Sequence, residues 1–579
     1  MSRLVALVII AWLLSACHPS PETVRRVTEL TYIKKDKSLT CPIEDSRRCA
    51  IDTPLLSLYN AALIDNKDRI TLLEKGDESL LIRLHMIKSA QTRIDIQTFI
   101  WVNDESGHLM LAELLQAAKR GVKVNIIIDQ LFSMGNTWLL AELATLHENF
   151  NIRMFNPIFN EAHTSKFDFF SAITCCLYNL NRRMHNKLFL VDSKYGINGG
   201  RNYSDRYFDW DSTFNYRDRD ALAIGEVANQ MQDSFNEFWE SQWVVPLERL
   251  DDVGYRILKN QEASSEWAIA RQSKSALLNL KSYDYNDIKS KFVDTAIAAE
   301  EIEYFSDSPA KLFTKNKESE YKYKQMVLKV KELILSADNN LLLQTPYLVL
   351  SKKAYRALKS LNKNKPGIKL EVSTNSLSST DAFYVYAISY KHKKKYLKKL
   401  NLKIFEYKQN PGYKDEMFGS EAQNDETRFG MHAKTIIIDN ETSMIGSHNF
   451  DPRSDILNTE SGLIIKSKQL AEELTKYIKQ DMQPQNSWVI APNKKIPVLS
   501  FFSGMIASVS RSLPILDIWP FRYSSSFQLR KGKQEVDIDD PDFYENYENL
   551  GNFPDVDLPS KQIQTIIISA FAGFAEPIM

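Results

Sequence analysis

Met184-His185-Asn186-Lys187-Leu188-Phe189-Leu190-Val191-Asp192 and Met431-His432-Ala433-Lys434-Thr435-Ile436-Ile437-Ile438-Asp439 carry the same pattern, H-x-K-x-x-x-x-D, twice in one chain of 579 residues. Each is followed at the same distance by a glycine-led turn ending in asparagine, Gly199-Gly200-Arg201-Asn202 and Gly446-Ser447-His448-Asn449. His185 to His432 and Asn202 to Asn449 are both offset by 247 positions. With nine histidines in the chain, one such motif arises by chance in roughly one chain in twenty, so it is the second copy at identical spacing that implies a duplication.

The duplication extends upstream. Arg93-Ile94-Asp95-Ile96-Gln97-Thr98-Phe99-Ile100 alternates as a strand, Leu109 to Arg120 has helical spacing, and Gly121 opens an apolar strand from Val122 to Asp129. The second copy repeats the order: Asn340 to Tyr347, Lys353 to Asn362, then Gly367 to Ser373. Asn151-Ile152-Arg153-Met154-Phe155 likewise corresponds to Asn401-Leu402-Lys403-Ile404-Phe405, and 88 positions separate Gln97 from His185 as they do Gln344 from His432. Strands alternating with helices predict an α/β fold of two tandem α/β/α sandwich repeats with mainly parallel sheet, over residues 61–300 and 301–490, related by a pseudo-two-fold axis. Residues 17–60 then form an N-terminal linker and 491–579 a C-terminal extension.

Side chains alternate faces along an extended strand, so His185 and Lys187 project together, as do His432 and Lys434. Two imidazoles and two fixed cations brought around one phosphate suit a two-step displacement: one ring attacks phosphorus, the other protonates the leaving oxygen and then activates the acceptor. Lys187, Lys434, Asn202 and Asn449 are the candidates for holding the non-bridging oxygens, a role that needs neither metal nor cofactor. Asp192 and Asp439 complete the catalytic motif, but apolar residues separate them from the histidines, and they read as structural clamps. A nucleophilic imidazole needs a carboxylate on its other nitrogen. Glu460 is the candidate from the second copy, and Asp218 or Asp220 from the first.

On these residues the sequence resembles the phospholipase D superfamily, and within it the bacterial type-C cardiolipin synthases. The likeness extends to Ile94–Trp101, Phe155-Asn156-Pro157, Leu180–Lys187, Gly199–Tyr207 and Thr374–Asp381, and runs from about residue 60 to about 490. It implies metal-independent phosphatidyl transfer at one shared active site, with His185 as nucleophile and His432 as acid/base. Membrane phospholipids are the implied partners, and the internal repeat implies activity as a monomer. Transfer to an alcohol acceptor makes a cardiolipin-like product, whereas transfer to water gives phosphatidic acid. The alternative is a nuclease or another phosphodiesterase using the same site.

Composition bears on that alternative. Lys+Arg 73 against Asp+Glu 73 leaves no overall basic field for nucleic acid, so no nucleic-acid partner is expected. Met1-Ser2-Arg3, the apolar run Leu4 to Leu14, and Leu14-Ser15-Ala16-Cys17 read as a signal peptide over 1–16 with a lipobox. By that resemblance Cys17 is lipidated, and His18, standing where a retention signal would place Asp, points to the outer membrane of a bacterial envelope, facing the periplasm. Export permits a disulfide between Cys41 and Cys49, while Cys175 and Cys176 read as buried packing residues. Tyr390 to Lys399 is the strongest basic run, either a headgroup-attracting surface or a solvated helix face. Phe501 to Phe521 reads as an interfacial helix or one closing the core, Glu535 to Asp557 as a poorly ordered or wrapped acidic segment, and His448 as a residue able to touch substrate.

Overall fold

The computed structural model describes residues 19–41, 49–165, 168, 171–172, 175–260, 273–314, 322–418, 426–493 and 523–556. The signal peptide, Cys17, the Phe501–Phe521 segment and the apolar run Ile563–Phe574 near the C-terminus lie outside these residues. The first copy contributes strands β1 (Arg69–Leu73), β2 (Arg93–Trp101), β3 (Lys123–Ser133), β4 (Phe150–Phe155), β5 (Arg183–Met184), β6 (Leu188–Val191), β7 (Tyr195–Gly199), β8 (Phe214–Arg217), β9 (Asp220–Ile224), β10 (Val244–Pro246) and β11 (Ile297–Ala298). From the second copy and the C-terminal extension come β12 (Glu301–Ser306), β13 (Asn340–Gln344), β14 (Lys369–Asn375), β15 (Lys403–Tyr407), β16 (Arg428–Met431), β17 (Thr435–Ile438), β18 (Thr442–Gly446), β19 (Asn458–Thr459), β20 (Ser461–Lys466), β21 (Ser487–Pro492), β22 (Ser524–Leu529) and β23 (Tyr547–Gly551).

The strand orders show the duplication directly. One sheet runs β10-β4-β3-β2-β6-β7-β9-β1-β11; read from its other edge, the second runs β23-β22-β21-β15-β14-β13-β17-β18-β20-β12. Eight strands correspond one to one, from β10 through β1 and from β21 through β12. The expectation of mainly parallel sheet is corrected. Only β2–β3 and β3–β4, and β13–β14 and β14–β15, pair in parallel within these sheets, because after the helical crossovers the chain folds back in hairpins. The β6–β7 and β17–β18 hairpins turn at Asp192-Ser193 and Asp439-Asn440, all four at positive φ near 54°, a region that Asp and Asn tolerate better than most residues.

Central strands are covered on both faces, which is why Leu188-Phe189-Leu190-Val191 and Thr435-Ile436-Ile437-Ile438 are continuously buried rather than alternating. Each copy has its own outer core, and a third core is common to both. There Ile70, Leu188 and Leu190 of the first copy meet Leu342, Ile437 and Leu463 of the second, with Met231 and Phe235 from the helix Val227–Trp239 and Leu474 and Ile478 from the helix Lys468–Asp481. A buried ion network spans the same boundary. Arg217 and Arg219 both pair with Glu74, Arg217 reaches Asp481, and Arg219 donates to Gln344 at 2.8 Å and Thr435 at 2.9 Å.

Two further expectations are corrected. Residues 17–60 are not merely a linker: Pro21–Lys34 and Leu55–Asp65 are helices, the first capped by Ser20 and burying Val27 and Thr31 against the first copy. Cys175 is exposed and Cys176 half-buried, joined to each other by a disulfide at the start of the short helix Leu177–Leu180. The acidic segment wraps as structure where it is described: β23 pairs with β22, and β22 adds to β21 at the edge of the second sheet. Cys41 and Cys49 are joined by a disulfide.

Candidate active site

The two H-x-K segments lie where short strands leave the body of each copy. Neither β5 nor β16 belongs to a large sheet; each pairs in parallel with a strand of the other copy, β5 with β19 and β16 with β8. The pairing carries through to the histidines, whose backbone N–H groups donate across the boundary, His185 to Thr459 O at 2.9 Å and His432 to Arg217 O at 2.8 Å. The residue that follows each acceptor is a carboxylate. Glu460 Oε2 is 2.8 Å from His185 Nδ1, and Asp218 Oδ2 is 2.6 Å from His432 Nδ1. Each orienting carboxylate therefore serves the histidine of the opposite copy. Of the two first-copy candidates it is Asp218 that reaches an imidazole; Asp220 instead accepts from Ser79 and Arg83, both at 2.9 Å.

Two straps that sequence reasoning missed fix the residue before each histidine. Asn375, at the end of β14, accepts from Met431 N at 2.7 Å and donates to Met431 O at 2.7 Å. In the first copy Asp129, on β3, accepts from Met184 N at 3.0 Å and pairs with Arg183 at 3.2 Å. A signal was available: the two residues stand 246 positions apart, within one of the repeat offset of 247. The copies differ beside the carboxylates. Ser447 donates its hydroxyl to Glu460, but the equivalent first-copy residue is Gly200, where a Cβ would stand 2.1 Å from Asp218 Oδ1.

Both histidines, both lysines and both carboxylates are buried. Burial, reinforced by Lys187 and Lys434 and opposed by Glu460, lowers the His185 imidazole to about 3. Burial would raise Glu460, but its neighbours His185 and Lys187 hold it at about 2, so at neutral pH the pair is a neutral ring against an ionised carboxylate. His432 is lowered by burial and by Lys434. Burial would raise Asp218, but His432 and Lys434 hold it far below the usual carboxylate range. Burial brings Lys187 down to about 7 and Lys434 to about 8, partly offset by Glu460 and Asp218. Each copy's charges act on the other copy's groups, as expected of one site rather than two.

The site is asymmetric in its walls. Phe99 meets His185 edge-on with ring centres 5.0 Å apart, while Tyr207 and Tyr216 flank His432 at 5.2 and 5.0 Å. Tyr216 and Tyr347, one from each copy, donate to Asp381 at 2.9 and 2.8 Å. Asn202 and Asn449 are both buried; Asn202 accepts from Ile100 N at 3.1 Å, whereas the Asn449 side-chain oxygen has no hydrogen-bond partner among the described residues.

Asp192 and Asp439, grouped with the catalytic motif in the sequence, stand at the far end of their strands, about 20 Å of extended chain from the histidines. Asp192 accepts from the backbone N–H groups of Gln91, Thr92 and Arg93 at 2.9, 2.7 and 3.1 Å. Asp439 does the same for Asp338, Asn339 and Asn340 at 2.8, 2.7 and 2.8 Å. They clamp the start of β2 and β13 and do not enter the site. Both ring nitrogens of His448 are engaged within its own copy: Nδ1 accepts from Phe450 N at 3.0 Å and Nε2 faces Asp455 at 3.1 Å. Among the described residues no three His, Cys, Asp or Glu side chains are grouped to hold a metal ion, and no helix is long and apolar enough to cross a membrane.

The chain is similar to several known proteins. An uncharacterized protein of Helicobacter pylori (strain ATCC 700392 / 26695) is 30% identical over 490 residues, covering 80% of this chain and 92% of the relative. Cardiolipin synthase C of Escherichia coli (strain K12) is 28% identical over 463 residues, covering 76% of this chain and 94% of the relative. A cardiolipin synthase of Staphylococcus aureus (strain Mu50 / ATCC 700699) is 23% identical over 429 residues, covering 74% and 70%. The family described as "Cardiolipin synthase, PLD-like domain" matches residues 84–239 and 330–482, more than half of the chain and one segment per copy, and the protein belongs to that family within the phospholipase D superfamily.

Proposed function

We propose that the protein is a phosphatidyltransferase that moves a phosphatidyl group between alcohols on membrane glycerophospholipids, through a covalent phosphatidyl-histidine. The observation that carries this reading is the crosswise pairing of two buried histidines with two ionised carboxylates: His185 with Glu460 and His432 with Asp218. In each pair the carboxylate accepts a hydrogen bond from Nδ1–H, which leaves the Nε2 lone pair for chemistry.

The steps balance without a cofactor. His185, neutral because its pKa is low, attacks phosphorus with Nε2; the bond from phosphorus to the leaving alcohol breaks, and that oxygen takes a proton from His432. The acceptor hydroxyl then gives its proton to His432 and attacks phosphorus, and the phosphorus–nitrogen bond breaks. One phosphodiester replaces another, so bond energy is roughly conserved. His432 is held neutral in the free protein; the negative charge of an incoming phosphodiester raises its proton affinity, so substrate and proton arrive together. Lys187 and Lys434, with Asn202 and Asn449, hold the charge on the non-bridging oxygens. Water in place of the acceptor gives phosphatidic acid, and dryness of the second half-reaction decides between the outcomes.

Leu14-Ser15-Ala16-Cys17 supports a lipid anchor at Cys17 and action in the bacterial envelope, at the periplasmic face of the outer membrane. The test is mass analysis of lipids formed from mixed phosphatidylethanolamine and phosphatidylglycerol vesicles by the wild type and by His185→Ala. Cardiolipin formed only by the wild type is the expected result. Phosphatidic acid alone would make the protein a hydrolase, and an unchanged lipid profile would defeat the proposal.

A further inference from the structure

The helices Lys352–Asn364 and Phe383–Leu400 lie against one another in the second copy, and their charge is of one sign. The first carries five lysines and arginines, the second six, and neither has an aspartate or glutamate. The corresponding first-copy helices, Glu105–Lys119 and Thr137–Thr145, contain Glu105, Glu113 and Glu142 against Lys119 alone. The chain as a whole is neutral. The basic surface is therefore a local property of one copy.

Core packing does not account for it. Of the eleven cations only Lys393 is buried, where it pairs with Glu406. The rest are exposed, and Lys352, Arg356, Lys359, Lys363, Lys394, Lys395, Lys398 and Lys399 form no ion pair among the described residues. Among the described residues the ion pairs of the acidic extension are made to Lys403 and Arg530, and the extension touches the second helix through Asn552 and Phe553 at Tyr390. Five like-charge pairs stand at helical i,i+4 spacing, Lys352–Arg356, Lys359–Lys363, Lys391–Lys395, Lys394–Lys398 and Lys395–Lys399. Such pairs destabilise a helix. A negatively charged plane outside the protein would turn this repulsion into attraction. The surface is also placed with respect to chemistry. The Phe383–Leu400 helix begins two residues after Asp381, which Tyr216 and Tyr347 tie to the His432 side of the site, and it exposes Tyr384 in its first turn.

We propose that these two helices are the face by which the protein lies on an anionic phospholipid bilayer, with the entrance of the active site held against the headgroups. The inference rests on the reading of the substrate as a membrane phospholipid. It fits a lipid plane better than a nucleic acid, since eight point charges on two helix faces offer no groove to follow a strand.

The experiment compares the full chain with a Lys394→Gln/Lys395→Gln/Lys398→Gln/Lys399→Gln variant. Flotation is measured on phosphatidylcholine vesicles with and without phosphatidylglycerol, at low and high salt. The N-terminal apolar run is common to both proteins and cancels in the comparison. The variant should lose nearly three orders of magnitude in partitioning onto the anionic vesicles, at about fivefold per lysine, and nothing on neutral ones. Its turnover of a monomeric short-chain phospholipid should match the wild type. Equal partitioning of both proteins overturns the proposal. So does a variant that loses oligonucleotide binding but keeps its vesicle binding. If neither protein turns over any phospholipid, the proposed function fails, while the flotation result still decides the docking face.

Discussion

Glu460 and His185 are 275 positions apart in the chain, yet their side chains meet at 2.8 Å. The residue types were legible because the chemistry needs histidine, lysine and asparagine at fixed spacing; the crosswise partnership was not, because no local pattern encodes which copy a carboxylate will face. Glu460→Gln should lower kcat by about two to four orders of magnitude with the fold retained, by analogy with other orienting carboxylates, and should shift the NMR titration of His185 far more than that of His432. Asp218→Asn should do the reverse. A pH dependence follows from the low His185 value. Its pKa is about 3 when folded and about 6.5 when unfolded, so between those values the unfolded chain binds a proton that the native state refuses. Stability from this group is therefore full above about pH 6.5 and is lost as pH falls toward about 3. In urea titrations from neutral to about pH 4, His185→Asn should lose less stability than the wild type.

At the scale of elements, two very short strand pairs do most to position the chemistry. β5–β19 and β8–β16 have two and four residue pairs, and they set histidine and carboxylate in register across the copies. Sequence patterning found the long strands and crossovers, whose apolar runs have a period to read, but two-residue strands have none. It also read the sheets as mainly parallel, since continuous apolar strands such as β17 look alike whether their neighbours run parallel or antiparallel. Asn375 supports this arrangement by gripping both backbone polar groups of Met431. Asn375→Ala leaves those buried groups unpaired and should cost about 1–3 kcal/mol, measured by denaturant unfolding, with a fall in kcat because His432 is the next residue. Gly200→Ala should reduce turnover more than Ser447→Ala: a methyl at 200 must displace the Asp218 carboxylate, whereas loss of the Ser447 hydroxyl leaves Glu460 on His185.

For the whole molecule, the common core and the Glu74, Arg217, Arg219 and Asp481 network make the copies a single unit. Arg219→Met strands Glu74 beside one remaining cation and should cost about 3–5 kcal/mol in denaturant unfolding. The duplication was legible in the sequence down to its offset. The added edge strands β22 and β23 were not, because Ser524-Ser525-Ser526-Phe527-Gln528-Leu529 is too polar to read as a strand and is held by pairing with β21. The central claim is that two copies build one site. It is tested most directly by the turnover of His185→Ala and His432→Ala, each assayed alone as pure protein on phospholipid vesicles. One shared site predicts that either substitution leaves less than about a thousandth of wild-type turnover. Two independent sites would leave about half in each, and that result would contradict the account.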